Sequence, residues 1–202
     1  MRLVTRVTCM AVILTATTAR AQETPSIELS GGYQVLRSGI GPGSIGTTYP
    51  VGWQASIGVN LNAWLGVAAS AGADIRNVSN SIANAVTSTT TTSQSAVYSF
   101  MAGPQLTKRV STTVDVFTSV MFGVIHSSVN ASLSSTEIFA PNTQLELSVS
   151  GGTTRFAWQP GAGIDVSMTR RWAIRLGANY RILQWSPNEG QLQAVTAIVF
   201  RP

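Results

Sequence analysis

The stretch "WAIRLGANYRI", Trp172 to Ile182, sets a large or apolar side chain at every second position, with Arg175, Gly177, Asn179 and Arg181 among the residues between. Two-residue alternation marks a β-strand with one apolar and one polar face. The same separation appears over 51–61, where Val51, Trp53, Ala55, Ile57, Val59 and Leu61 alternate with Gly52, Gln54, Ser56, Gly58 and Asn60. It recurs over 153–168, where Phe156, Trp158, Ala162, Ile164, Val166 and Met168 oppose Arg155, Gln159, Gly161, Gly163, Asp165 and Ser167.

Working outward, strands are expected near 26–37, 51–61, 65–77, 96–107, 112–127, 153–168, 172–184 and 192–201, with no sustained helical period. The connections alternate in length. "NAWL", "KRVS" and "TRR" are tight, while Gly39–Pro50, Val78–Ser95 and Ser128–Gly152 are long and rich in turn residues. Trp185–Gln191 is shorter and carries Pro187, Asn188 and Gly190. "TSTTTTSQS", residues 87–95, reads as a solvated low-complexity loop tip. The pattern predicts an all-β fold, an eight-stranded antiparallel up-and-down barrel.

The chain opens "MRLVTRVTCMAVILTATTARAQETP", with Arg2 and Arg6 ahead of a short apolar core and Ala19-Arg20-Ala21 as a cleavage signal. Residues 1–21 are expected to be a signal peptide cleaved after Ala21, leaving a barrel domain over 22–202. Cys9 would leave with the signal, so disulfide and thiol chemistry are excluded from the mature chain. Loss of Arg2, Arg6 and Arg20 lowers the net charge from +5 to +2, so the basic pI implies no nucleic-acid partner.

Alternation alone does not say which face meets water, because a soluble barrel and a membrane barrel both need one apolar and one polar face. Charge decides for the membrane. Only 10% of the chain is charged, whereas soluble domains average roughly 25%. The charges within the expected strands are Glu28, Arg37, Asp74, Arg76, Asp115, Arg155, Asp165, Arg175, Arg181 and Arg201, and all but Arg37 fall on the polar parity. Aromatics gather near strand ends: Trp53, Tyr98 and Trp158 toward the long loops, Trp64, Trp172 and Phe200 toward the tight turns. Such girdles mark membrane interfaces. Trp185 has the wrong parity for lipid and is expected to cap the lumen.

The segments "AVYSFMAGPQLTKRVSTTVDVFTSVMFGV", "AWQPGAGIDVSMTRRWAIRLGANYRI" and "QAVTAIVF" resemble the small bacterial outer-membrane β-barrel proteins of the OmpA/OmpX type. The resemblance implies a closed transmembrane barrel in a Gram-negative outer membrane, with periplasmic termini and long surface loops. That family typically ends on an aromatic read by the β-barrel assembly machinery; here Phe200 is followed by Arg201 and Pro202.

If Met168 pairs with Trp172 across "TRR", Asp165 falls opposite Arg175 and Gln159 opposite Arg181, both pairs inward, while Val166–Ile174, Ile164–Leu176 and Trp158–Ile182 match outside. A lumen salt bridge Asp165–Arg175 is therefore expected, with Glu28, Asp74, Arg76, Asp115, Gln159, Asn179 and Arg181 as further lumen polar residues. An eight-stranded barrel is just wide enough for its side chains to fill.

Catalytic signals are sparse. A single histidine rules out a multi-histidine metal site, and no cofactor-binding motif is present. His126 and Ser128 lie two apart on one strand face, with Glu137 further along, and faintly resemble the outer-membrane lipid A deacylases. The leading expectation is a non-enzymatic monomer in outer-membrane lipid and lipopolysaccharide, assembled by the barrel machinery, whose surface loops serve adhesion, ligand contact or envelope integrity. The alternatives are a lipid A acyl hydrolase using His126, Ser128 and Glu137, and a secreted soluble barrel binding an apolar ligand.

Overall fold

The computed structural model describes residues 27–40, 46–83, 87–137, 144–184 and 190–202. They form β1 (Ile27–Ile40), β2 (Thr47–Asn60), β3 (Leu65–Ala83), β4 (Thr87–Arg109), β5 (Val114–Glu137), β6 (Gln144–Ser167), β7 (Trp172–Leu183) and β8 (Gly190–Phe200). Every strand pairs antiparallel with its chain neighbours, and β8 returns to β1 to close the ring. Closure leaves no free edge within the barrel wall. The signal peptide over 1–21, its cleavage after Ala21 and the lumen cap at Trp185 lie outside the described residues.

Eight strands stand where alternation places them, but four are much longer than it indicates. β3 to β6 have 19, 23, 24 and 24 residues, against 14, 14, 12 and 11 for β1, β2, β7 and β8. The expected loops Val78–Ser95 and Ser128–Gly152 are largely strand, and Gly39–Pro50 is strand from Thr47. "TSTTTTSQS" is no loop tip but the start of β4, laddered to β3 through Arg76–Ala83 and to β5 through Val129–Glu137. The reason is physical: threonine is β-branched and suits a pleated sheet, while a segment polar on both faces shows no alternation for a sequence reading to detect.

The apolar parity points outward. Ile164, Leu176, Phe122, Val124 and Ile198 are exposed, while their neighbours Asp165, Met121, Ile125 and Ala197 are buried. A soluble barrel with an apolar ligand inside would need the reverse, so that alternative is set aside. The β6–β7 register sets Asp165 against Arg175, Val166 against Ile174, Ile164 against Leu176 and Trp158 against Ile182. The tight turn leaves one pairing that puts every apolar residue on the same face, because a one-residue slip would invert the strand.

Glycine makes room inside. A Cβ at Gly163 would stand 2.6 Å from the Phe117 ring, and one at Gly52 would stand 2.3 Å from Asp74 Oδ1. Large inward side chains thus lie over wall positions that lack one.

Candidate functional site

The interior is organised in layers. Nearest the tight turns, Glu28, Asp115 and Asp165 are buried with Arg175 and Arg201. Arg175 grips Asp165 with both ends of its fork, Nε to Oδ1 and Nη2 to Oδ2, each at 2.7 Å. Its Nη2 also donates to Glu28 Oε2 at 3.2 Å, and its guanidinium lies 4.4 Å from the centre of the Phe117 ring. Arg201 places Nε 3.1 Å from Glu28 Oε1, Nη1 3.1 Å from Asp115 Oδ2 and Nη2 3.1 Å from Asp165 Oδ2. Arg109 donates from Nε to Asp115 Oδ1 at 3.0 Å.

Above this cluster the lining turns neutral. Asn179 donates to Gln193 Oε1 at 2.9 Å, and Gln193 to Gln34 Oε1 at 2.7 Å. A cavity of about 30 Å³ lies between Gln54, Gln105, Phe117, Met121 and Asn179, room for a water or two. Arg181 is almost fully buried and donates to Gln159 Oε1 at 2.9 Å and Gln191 Oε1 at 3.3 Å, within electrostatic reach of buried Asp74.

Toward the long-hairpin end the core becomes apolar. Leu36, Tyr49, Val97, Ile125 and Leu183 join Met101 and Met121 in one buried cluster. Beyond them a mouth of about 180 Å³ is lined by Ser38, Tyr49, Ser127, Thr153, Arg155 and Gln191 as well as Val97, Ile125 and Leu183. Arg76 is an inner-face residue of β3 near this end, and Arg37 is exposed on β1.

Outside, Trp53, Trp64, Tyr98, Trp158 and Trp172 are all exposed, and Phe200 tilts against Trp172 with ring centres 4.7 Å apart. His126 is exposed on the outer face, opposite Tyr98 on β4 and Thr154 on β6. Its Nδ1 is 2.8 Å from Thr154 Oγ1. Glu137 ends the same strand, eleven residues on, about 36 Å away at 3.3 Å per residue. The side chain of Glu137 lies outside the described residues.

The long hairpins make the second distinctive surface. β2 pairs with β3 only as far as Val51 against Ile75, and β7 meets β6 from Ala157, with one further bond from Gln184 N to Phe156 O. Beyond those points β3–β6 continue as a four-stranded sheet. On their outer edges, away from β4 and β5, 77–83 and 144–154 have no ladder partner among the described residues. Leu147 and Val149 are exposed on the β6 flank.

A closed eight-stranded ring with charge inside and an aromatic-bounded apolar belt outside fits one environment, and a family comparison decides it. The model of the outer membrane protein beta-barrel domain matches residues 7–199. The chain belongs to that family.

Among solved structures, this outer-membrane barrel is similar to the attachment invasion locus protein Ail of Yersinia pestis, with TM-score 0.58 and 17% identity over 88% of this chain and 99% of that one. Ail in complex with the heparin analogue sucrose octasulfate superposes with TM-score 0.56 and 16% identity, covering 86% of this chain and 96% of that one. The N-terminal barrel of Pseudomonas aeruginosa OprF gives TM-score 0.46 and 16% identity over 89% and 98% of the two chains. These likenesses concern the fold. No functionally curated protein matches the sequence.

Sequence reading did not find the Arg201 hub or the projecting sheet. Arg201 carried a usable signal, the polar parity of its strand, but its partners on β1, β5 and β6 become neighbours only on closure of the ring.

Proposed function

We propose that the protein is a non-enzymatic outer-membrane barrel with a side-chain-plugged lumen, whose β3–β6 sheet projects from the cell surface as an adhesive contact. The tight turns and both termini face the periplasm, and the signal peptide is removed after Ala21. The observation that carries the reading is the unequal strand length: β3–β6 run on past the last β2 and β7 partners while holding full ladders among themselves. A stiff sheet whose outer edges have no ladder partner among the described residues offers backbone groups to an extended segment of another protein. Exposed Leu147 and Val149 add apolar grip on one flank. The name of Ail, a protein of attachment and invasion, is in keeping with such a role.

The test is to trim the sheet in register. Replacing 133–147 by an Asn-Gly turn that joins Ser132 to Ser148 keeps the ladder below intact. Bacteria displaying the native protein should adhere to cultured epithelial cells at least tenfold better than bacteria displaying the trimmed one, with equal amounts folded in the membrane. Equal adherence would sink the reading.

A further inference from the structure

At the tight-turn end, the exposed charged side chains among the described residues have one sign. Lys108, Arg170 and Arg171 are exposed, and Arg109 is partly so. The carboxylates of this end, Glu28, Asp115 and Asp165, are buried and held by arginines. Among the described residues, no carboxylate side chain is exposed at this end to neutralise the outer cations.

The rim is also built rigidly. Ser167 N donates to Thr113 O at 2.7 Å, which stitches the β4–β5 turn to the end of β6. Thr107 N donates to Trp64 O at 2.9 Å, and Arg201 N to Arg171 O at 2.8 Å. The basic side chains therefore stand beside an aromatic belt of Trp64, Trp172 and Phe200. Aromatic belts lie at headgroup level, and cations there meet lipid phosphates.

We propose that the rim formed by Lys108, Arg170 and Arg171 binds the headgroups of anionic phospholipids in the leaflet next to the tight turns. The inference rests on the membrane orientation given above. Charge complementarity selects a phosphate carrying net negative charge over a zwitterionic headgroup, and the neighbouring indoles require that the phosphate belong to a bilayer. The rim thereby gathers an annulus of anionic lipid and holds the barrel at fixed depth.

The experiment uses the folded protein in phosphatidylcholine bilayers doped with spin-labelled phosphatidylglycerol or spin-labelled phosphatidylcholine, whose motionally restricted fractions give relative association. The native barrel should prefer phosphatidylglycerol about threefold, falling toward parity in K108Q/R170Q/R171Q and in 1 M NaCl. R37Q, at the opposite end, should keep the full preference. All four positions are exposed, and an unboiled gel checks that each variant is folded. Equal association of the two lipids with native protein, a preference surviving the triple change, or its abolition by millimolar inorganic phosphate at constant ionic strength overturns the proposal. The lipid assay reads the rim whichever way the protein faces in cells. Failure of the orientation would show separately, as labelling of Ser111→Cys on intact bacteria.

Discussion

Asp115 on β5 and Asp165 on β6 are register partners on the inner face, two carboxylates set directly opposite each other. Like charges in that relation destabilise a sheet. Arg201 resolves the conflict by reaching from beyond the end of β8 and giving one Nη to each, both at 3.1 Å. The residue that follows the terminal aromatic is thus the bridge that lets two neighbouring acidic positions coexist. Arg201→Ala should cost about 3–5 kcal/mol, the range for removing one partner from a buried ion pair, measured by urea unfolding in detergent. Adding Asp115→Asn should recover part of the loss by removing the repulsion. If both variants unfold together at the low value, the bridge is not what stabilises this end.

The Arg175–Asp165 pair is testable by a double-mutant cycle. Arg175→Ala takes one of two arginine partners from both Asp165 and Glu28, which keep Arg201, so its loss should not exceed that of Arg201→Ala. Asp165→Ala in that background should rescue only partly, because Arg201 also uses Asp165. Strict additivity of the two changes would show that they are not coupled.

Outward and inward faces should respond differently to charge. Leu176 is exposed on the apolar belt, and an arginine near the bilayer midplane of a barrel costs about 2–4 kcal/mol. Asn179 points inward and donates to Gln193, which donates to Gln34; Asn179→Asp can restore the donor–acceptor chain if the Gln193 and Gln34 amides both turn, at about 1 kcal/mol. Leu176→Arg should therefore lower the fraction folded in vesicles far more than Asn179→Asp. Similar yields would place the membrane on the wrong face.

These outcomes bear on what one sequence can carry. Alternation in Trp172–Ile182 and 153–168, with a tight turn between, was enough to set both faces and the β6–β7 register, because both constraints are local. The Arg201 cluster was not legible: Glu28, Asp115 and Asp165 come from three strands whose heights depend on the stagger of the whole ring. The polar upper parts of β3–β6 were missed for another reason. Serine and threonine on both faces leave no hydrophobic period, so only the ladder itself reveals the strand.

That revision changes where an insertion will be tolerated. A tag within Thr89–Thr92 would interrupt ladders on both sides, to β3 and to β5. One placed between Glu137 and Gln144, in the connection from β5 to β6, leaves every described pair intact. The second should assemble at native levels and label whole cells, and the first should assemble poorly. Detection of the second tag only after the outer membrane is permeabilised would reverse the topology.

The lumen should not conduct. An ion entering from the long-hairpin mouth would meet the packed side chains of Leu36, Val97, Ile125 and Leu183, where its hydration shell finds no replacement. Below that layer Arg181 fills the bore, hydrogen-bonded to Gln159 and Gln191, and the next cavity holds only about 30 Å³. The last barrier is the cluster in which Arg175 and Arg201 are bound by three carboxylates. Opening a path means breaking all three layers at once, so single changes in one layer should leave the pore shut. In planar bilayers the native protein should show no steady steps, and Ile125→Gly, which opens only the apolar layer, should remain equally silent. Large, stable conductance from the native protein would falsify the plugged lumen and move the function toward solute passage.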